Sequence, residues 1–205
     1  PLAPTYGLTE ATSQVATRPP GMLEEGDSLS AGLEPLAGVS LRIVDDAGDS
    51  VSVGTEGTIE VSGPIVMTGY LDDPQATETT LAEGWLRTGD VGVLDNAGRL
   101  RVLDRRSDLI LSGGENVYPA EIESVLDDHK DVIEAGVCGV PDEKFGARPV
   151  AFLVLREGAS LDAEEMAEFC QARLASYKCP TTFNQSGVLP RTQTGKLIRR
   201  ALLDD

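Results

Sequence analysis

Residues 84–126, GWLRTGDVGVLDNAGRLRVLDRRSDLILSGGENVYPAEIESVL, change their hydropathy period partway along, so the chain must be built from two differently organised parts. The first half predicts two β-strands, residues 91–95 and 99–104, joined at Asp95-Asn96-Ala97-Gly98, where Asn and Gly supply the positive φ angles of a tight hairpin. The second half predicts a short apolar run at 109–111, a loop Ser112-Gly113-Gly114-Glu115, and a helix over 119–126. Pro119 suits the first helical position, Glu121 and Glu123 sit favourably in the first turn, and Ile122, Val125 and Leu126 make the buried face. Between the halves lies Asp104-Arg105-Arg106-Ser107-Asp108, a polar stretch that suits a surface loop or a hinge between two folded units.

Before this stretch the pattern is β. Residues 39–44 alternate, 45–50 read as a turn and 58–61 as a strand, which with the 91–104 hairpin predicts a small, mostly antiparallel sheet or barrel. Residues 18–32 are loop-like around Pro19-Pro20-Gly21, residues 77–82 predict a helix, and Trp85 reads as packing. After Asp104 the pattern is mixed. Strands are expected at 132–140 and 149–155, and a helix over 163–175 with Asp162 and Glu165 as a capping box and Leu161 and Met166 as a staple. A strand over 181–188 is polar at Asn184-Gln185, which suits an edge or a distortion, and Thr194 is expected to cap a last helix with Leu197, Ile198, Ala201 and Leu202 on its apolar face.

Charge narrows the function classes. With 17 Lys+Arg against 34 Asp+Glu the formal net charge is −17, which argues against a nucleic-acid surface but leaves room for a nucleotide held by a few cations and backbone N–H groups. No apolar run has the length of a membrane span. Cys138, Cys170 and Cys179 have no metal-type spacing and read as reduced structural thiols of a cytoplasmic protein. His129, the single histidine, lies in a helix-to-strand loop with no nearby Ser or Cys, which argues against a triad.

Three ordered blocks carry more specific information: YGLTEATSQ at residues 6–14, TGD followed by GRLRVLDRRSDLILSGGENVYPAEIE, and LPRTQTGKLIRR at residues 189–200. Together they resemble the acyl-CoA and aryl-CoA ligases of the adenylate-forming superfamily, and the continuation ATSQVAT is most similar to the o-succinylbenzoate–CoA ligases of menaquinone synthesis. The resemblance implies a mixed α/β and α+β chain: residues 1–103 as the end of a large adenylating domain with an antiparallel β-barrel-like subdomain, and residues 104–205 as a small α+β lid domain. It implies ATP, Mg²⁺ and coenzyme A as ligands, a small-molecule carboxylic acid as substrate, and two steps, acyl-adenylate formation and thioester formation.

Site roles follow from the same resemblance. Tyr6 would lie against adenine, Thr9 would contact phosphate, Glu10 would hold Mg²⁺, and Asp90 would accept the ribose hydroxyls. Arg105 would contact the ribose, and Lys196 would be the catalytic ammonium of adenylation. Asp104 would be the hinge, with Gly113, Gly114 and Glu115 bordering the pantetheine channel. The family's Ser/Thr/Gly-rich phosphate loop and most of its acyl pocket have no counterpart here. The chain is therefore expected to need the N-terminal region of its own protein and to be inactive alone. The alternatives are a CoA ligase for another aryl or fatty acid, and a free-standing module that binds a nucleotide or partner without chemistry. A carrier-protein-loading domain fits SGGENVYPAEIE less well.

Overall fold

The computed structural model describes residues 3–19 and 32–203, and these divide into two compact units, one ending at Arg106 and the other beginning at Ser107. The loop expected over 18–32 lies for its greater part outside the described residues. Among the described residues no helix is long and apolar enough to cross a membrane.

The first unit opens with β1 (Thr5–Tyr6), β2 (Ala16–Thr17) and β3 (Glu34–Pro35), an antiparallel three-stranded sheet in that order. Next come β4 (Ser40–Val44), β5 (Gly57–Ser62), the helix α1 (Pro74–Thr80), β6 (Leu81–Ala82), β7 (Trp85–Leu94) and β8 (Leu100–Arg105). Strand β7 is long enough to serve several neighbours. Its one edge pairs with β5, and its other edge pairs first with β6, through Leu86, and then with β8, from Asp90 to Leu94. Ile43, Ile59, Val61, Leu86 and Leu100 are buried between this sheet and Ala11, Val15 and Leu33. Each fully buried Ile or Leu among them contributes roughly 1.5–3 kcal/mol.

Three expectations are corrected here. The barrel-like subdomain is an open sheet: among the described residues β4 pairs with β5 as its one strand neighbour, its other edge meets only the returning residues Ser50 and Val51, and the outer edge of β8 carries a single bridge, Leu33 to Leu100. That bridge pairs the N–H and carbonyl of Leu100 alone, which is not the continuous register a closed barrel requires. In the 95–98 turn only Gly98 has positive φ, because Asp95 Oδ1 accepts from the N–H groups of Ala97 and Arg99 and so organises the turn itself. The first helix also begins earlier than expected, at Pro74, with Asp73 accepting from the N–H of Ala76 as its cap.

The second unit holds β9 (Ile110–Ser112), β10 (Glu115–Val117), α2 (Pro119–Asp127), β11 (Val132–Asp142), β12 (Gly146–Leu155), α3 (Ala163–Gln171) and β13 (Phe183–Gln185). The sheet order is β10-β9-β12-β11, with β13 parallel to β12. Both faces are covered, which is why β11 and β12 read as nearly continuous apolar runs. Val137, Ala151 and Leu153 pack with Ile122, Leu126, Met166 and Cys170 of α2 and α3. The alternate residues Cys138, Val150 and Phe152 pack with Leu189 and Leu202 of the C-terminal segment.

Asp162 caps α3 by accepting from the N–H groups of Glu164 and Glu165, although the helix stops at Gln171 rather than near 175. Strand β13 is the edge strand its polar residues foretold. The last expected helix is different: the Thr194 hydroxyl pairs with that of Thr192 at 2.9 Å instead of capping a helix, Leu197 bridges back to Arg191, and a 3-10 helix, Arg199–Leu203, follows among the described residues. Pairing with Arg191 holds Leu197 extended, so helical backbone begins after it.

Candidate functional site

The chain doubles back after Tyr6. Gly7 permits this, since a Cβ there would fall 1.5 Å from the carbonyl oxygen of Ser13. Thr12 and Ser13 complete the reversal with φ of 53° and 90°, values that L-residues adopt only under local constraint. The result places the 3-10 turn Thr9–Ala11 between two strands, with Thr9 exposed and Glu10 half-buried on it.

Around Asp90 the structure gathers three of the expected site residues. The Tyr6 hydroxyl donates to Asp90 Oδ2 at 2.6 Å, and Arg105 Nε donates to Asp90 Oδ1 at 3.0 Å. Asp90 is 7 % exposed, and Thr88 steadies it: its Oγ1 accepts from the Asp90 N–H and donates to the carbonyl of Ile59. The partner strands explain the meeting, because Asp90 of β7 lies opposite Arg105 of β8. Burial, and then the Asp90 carboxylate, push the Tyr6 phenol well up, so it remains a donor.

Glu10 belongs to a second set. Tyr70 Oη donates to Glu10 Oε1 at 3.0 Å, and no cation pairs with this carboxylate among the described residues. Burial first, then the hydrogen bond to Glu10, raise the Tyr70 phenol. Tyr70 also borders an open cleft of about 620 Å³ together with Thr68, Asp73 and Thr77. A single hard carboxylate without a cationic neighbour fits Mg²⁺, which takes one or two protein carboxylates and completes its shell with water and phosphate oxygens.

Asp104 and Arg105 end β8 in the first unit, and Arg106 is tied to Thr58 at 3.2 Å and to Asp46. Asp108 is paired with Arg199 of the second unit at 3.2 Å. Ser107 between them lies in a 3-10 turn, Arg106–Asp108, and its hydroxyl donates to Asp108 Oδ1 at 3.0 Å.

The remaining expected residues lie in the second unit. Gly113 and Gly114, with φ of 61° and 89°, form the two-residue turn of the β9–β10 hairpin, and Glu115 is the first residue of β10 rather than part of a loop. Strands of three residues are too short to show alternation, so the sequence reads as a loop there. The Gly113 N–H donates to the carbonyl of Phe145, whose ring lies 3.2 Å from where a Gly113 Cβ would be. Lys196 follows a tight turn, not a helix start: the Thr192 N–H donates to the Lys196 carbonyl at 2.8 Å, and Thr192 Oγ1 accepts from the Lys196 N–H. Its ammonium is exposed and unpaired among the described residues.

Sequence reasoning missed Tyr70, Thr88 and Arg199. Arg199 holds Glu123 through both carboxylate oxygens. His129 is 4 % exposed, its Nδ1 accepts from the Asp131 N–H, and its Nε2 lies 3.5 Å from Glu165. His129, Asp131 and Glu165 come within 4.8 Å of one another, but the Lys130 ammonium, 3.3 Å from Glu165 and 3.8 Å from Asp131, already supplies the cation.

Comparison with known proteins adds the wider context. Residues 1–71 match the model of the AMP-binding enzyme family, and residues 121–196 match that of the AMP-binding enzyme C-terminal domain. The chain is 46% identical over 204 residues to 2-succinylbenzoate–CoA ligase of Bacillus subtilis, covering 100% of this chain and 41% of that protein. It is 48% identical over 204 residues to the enzyme of the same name from Geobacillus kaustophilus, covering 98% and 41%. The o-succinylbenzoate CoA synthetase of Bacillus subtilis, solved with the acyl-adenylate intermediate, superposes with a TM-score of 0.93 at 45% identity, over 100% of this chain and 41% of that one. An amide bond synthetase from Marinactinospora thermotolerans superposes with a TM-score of 0.91 at 35% identity, over 98% and 40%. The chain thus spans about 41% of the length of the curated relatives it matches.

Proposed function

Because the chain belongs to the AMP-binding enzyme family, we propose that it forms the C-terminal part of an AMP-forming acid–CoA ligase whose acid is 2-succinylbenzoate, a step of menaquinone synthesis. In the first reaction the acid's carboxylate attacks the α-phosphate of ATP and pyrophosphate leaves. In the second the thiol of coenzyme A attacks the acyl carbon, its proton is lost and AMP leaves.

The observation that carries the reading is the Asp90 carboxylate, which joins Tyr6 and Arg105 from opposite ends of the first unit, 84 residues apart in the case of Tyr6. A carboxylate so held can accept ribose hydroxyls, with the Tyr6 ring as a face for adenine and Arg105 beside it. Thr9 serves the phosphates and Glu10 the metal. Mg²⁺, when bound, supplies positive charge to the phosphate oxygens. Lys196, unpaired on its turn, adds an ammonium where the transition state gathers negative charge. The side-chain-free turn Gly113-Gly114 with Glu115 borders the path of the pantetheine arm in the second reaction.

Residues 1–103 then belong to the large domain and 104–205 to the small one, which turns about Asp104 and the residues just after it. The boundary between the two compact units, which falls between Arg106 and Ser107 two residues after Asp104, supports this. Consumption of ATP and CoA, with three free thiols, supports a cytoplasmic setting.

The test uses the full-length parent chain and ATP–pyrophosphate exchange. Exchange is expected with 2-succinylbenzoate well above that with benzoate or a fatty acid, and Asp90→Asn is expected to weaken it through ATP affinity. Equal exchange with another acid would replace the substrate. No exchange with any acid would favour the non-catalytic module.

A further inference from the structure

We infer that Tyr70 is a positioning residue for the Glu10 carboxylate: its hydroxyl occupies Oε1 and leaves Oε2 as the single oxygen offered to a small, six-coordinate divalent cation. This rests on the proposed role of Glu10 as a metal ligand and adds a residue that no sequence block singled out.

Tyr70 is not kept in place by burial of its ring, which belongs to a residue 38% exposed and next to Leu71 at 91%. Its hydroxyl donates over 3.0 Å to a carboxylate 60 residues away, with the Thr80 side chain beside it as a second polar neighbour. The surrounding backbone is built to present that hydroxyl. The Tyr70 N–H donates to Thr77 Oγ1 at 2.9 Å, and Thr77 Oγ1 donates to the carbonyl of Asp73, the cap residue of α1. Gly69 fits closely against the same threonine, with its hypothetical Cβ 2.9 Å from Thr77 Cγ2.

The receiving side is fastened to the same segment. The Met67 N–H donates to the Glu10 carbonyl at 2.8 Å, and Thr12 Oγ1 donates to the Ile65 carbonyl at 2.7 Å. Residues 65–67 and 10–12 are therefore joined directly beside the Tyr70–Glu10 contact, so the backbones that carry the two side chains are tied to each other.

The donor is neutral, and that matters. An arginine or lysine in its place would cancel the charge that a cation needs. A hydroxyl fixes one oxygen and leaves the charge on the group. Mg²⁺ demands near-ideal octahedral geometry, and a carboxylate presenting one oxygen suits it. Outer-shell hydrogen bonds of this kind typically change metal affinity or activity by about 10- to 100-fold when removed.

The experiment compares wild type, Tyr70→Phe and Glu10→Gln in the full-length parent chain. Mn²⁺ binding to the ATP complex is followed by electron paramagnetic resonance, and the Mg²⁺ dependence of acyl-adenylate formation is measured alongside. Tyr70→Phe is expected to weaken Mn²⁺ binding and raise the half-saturating Mg²⁺ by about 10-fold, with thioester formation from supplied acyl-adenylate unchanged. If Tyr70→Phe binds Mn²⁺ as wild type does while Glu10→Gln loses it, the inference about Tyr70 is overturned and the metal role of Glu10 stands. If Glu10→Gln also binds as wild type does, the metal role itself falls, and the inference with it.

Discussion

Glu10 and Lys196, of opposite charge, have no ion-pair partner among the described residues; other surface charges such as Arg101 and Arg200 share this, so it is the site roles their sequence blocks imply that single these two out. An uncommitted charge can answer to a ligand, and the two reactions ask different things of it. Adenylation builds negative charge around the α-phosphate, while in thiol attack that phosphate is already the leaving group. Lys196→Ala in the full-length parent chain is therefore expected to slow acyl-adenylate formation on the order of 10²–10³-fold, and to leave thioester formation from supplied acyl-adenylate near the wild-type rate. Equal slowing of both half-reactions would make Lys196 structural. The thiols test the residue scale differently. Burial, with Cys179 nearby, pushes Cys170 up from its ordinary 9.0 to about 11. The folded protein holds that proton more tightly than the unfolded chain, so this contribution to stability is complete below about pH 9 and is lost as pH rises through about 11. Denaturant midpoints should fall across that window, and iodoacetamide at pH 8 should label Cys170 only on unfolding.

At the scale of elements, the β9–β10 hairpin depends on a turn in which both residues have positive φ. Gly113→Ala is expected to cost about 1–2 kcal/mol, the left-handed penalty for a residue with a Cβ, plus contact with Phe145 at 3.2 Å. Gly114→Leu places a side chain where the pantetheine arm is proposed to pass. It should slow thioester formation while sparing adenylation, the reverse of Lys196→Ala. Arg199 acts at the same scale. It ties the C-terminal segment to Glu123 of α2 and to Asp108, and both side chains of its pair with Glu123 are largely buried, at 15% and 14% exposed. Arg199→Leu leaves that carboxylate uncompensated and is expected to destabilise the second unit by roughly 3 kcal/mol, measurable by urea unfolding, with Arg199→Lys recovering part. The hairpin and this tie both escape a reading by period: one has strands too short to alternate, and the other joins residues 76 positions apart.

For the whole molecule, the two units and the polar stretch between them predict the pattern of proteolysis. Trypsin should cut early near Arg105 and Arg106 and leave a resistant piece beginning near Ser107; uniform resistance across residues 104–108 would count against a hinge there. With 41% of the relatives' length, the 205 residues by themselves should release no AMP from ATP, acid and CoA. What was legible in the sequence was local or carried by blocks. The strand period of the 91–104 hairpin, Pro119 at the start of α2, the Asp162 cap and the edge character of Asn184-Gln185 each depend on residues a few positions apart, and periods of 2 and 3.6 are properties of such windows. The three blocks named the candidate site residues but not their partners. That Tyr6 meets Asp90, that Tyr70 holds Glu10, that Lys196 stands on a turn braced by Arg191, and that the β4–β8 sheet stays open were settled only by the tertiary pairing of the chain. The reason is physical: a contact across 60 or 84 residues exists only once intervening strands have paired, and no local periodicity records which edge a strand will take.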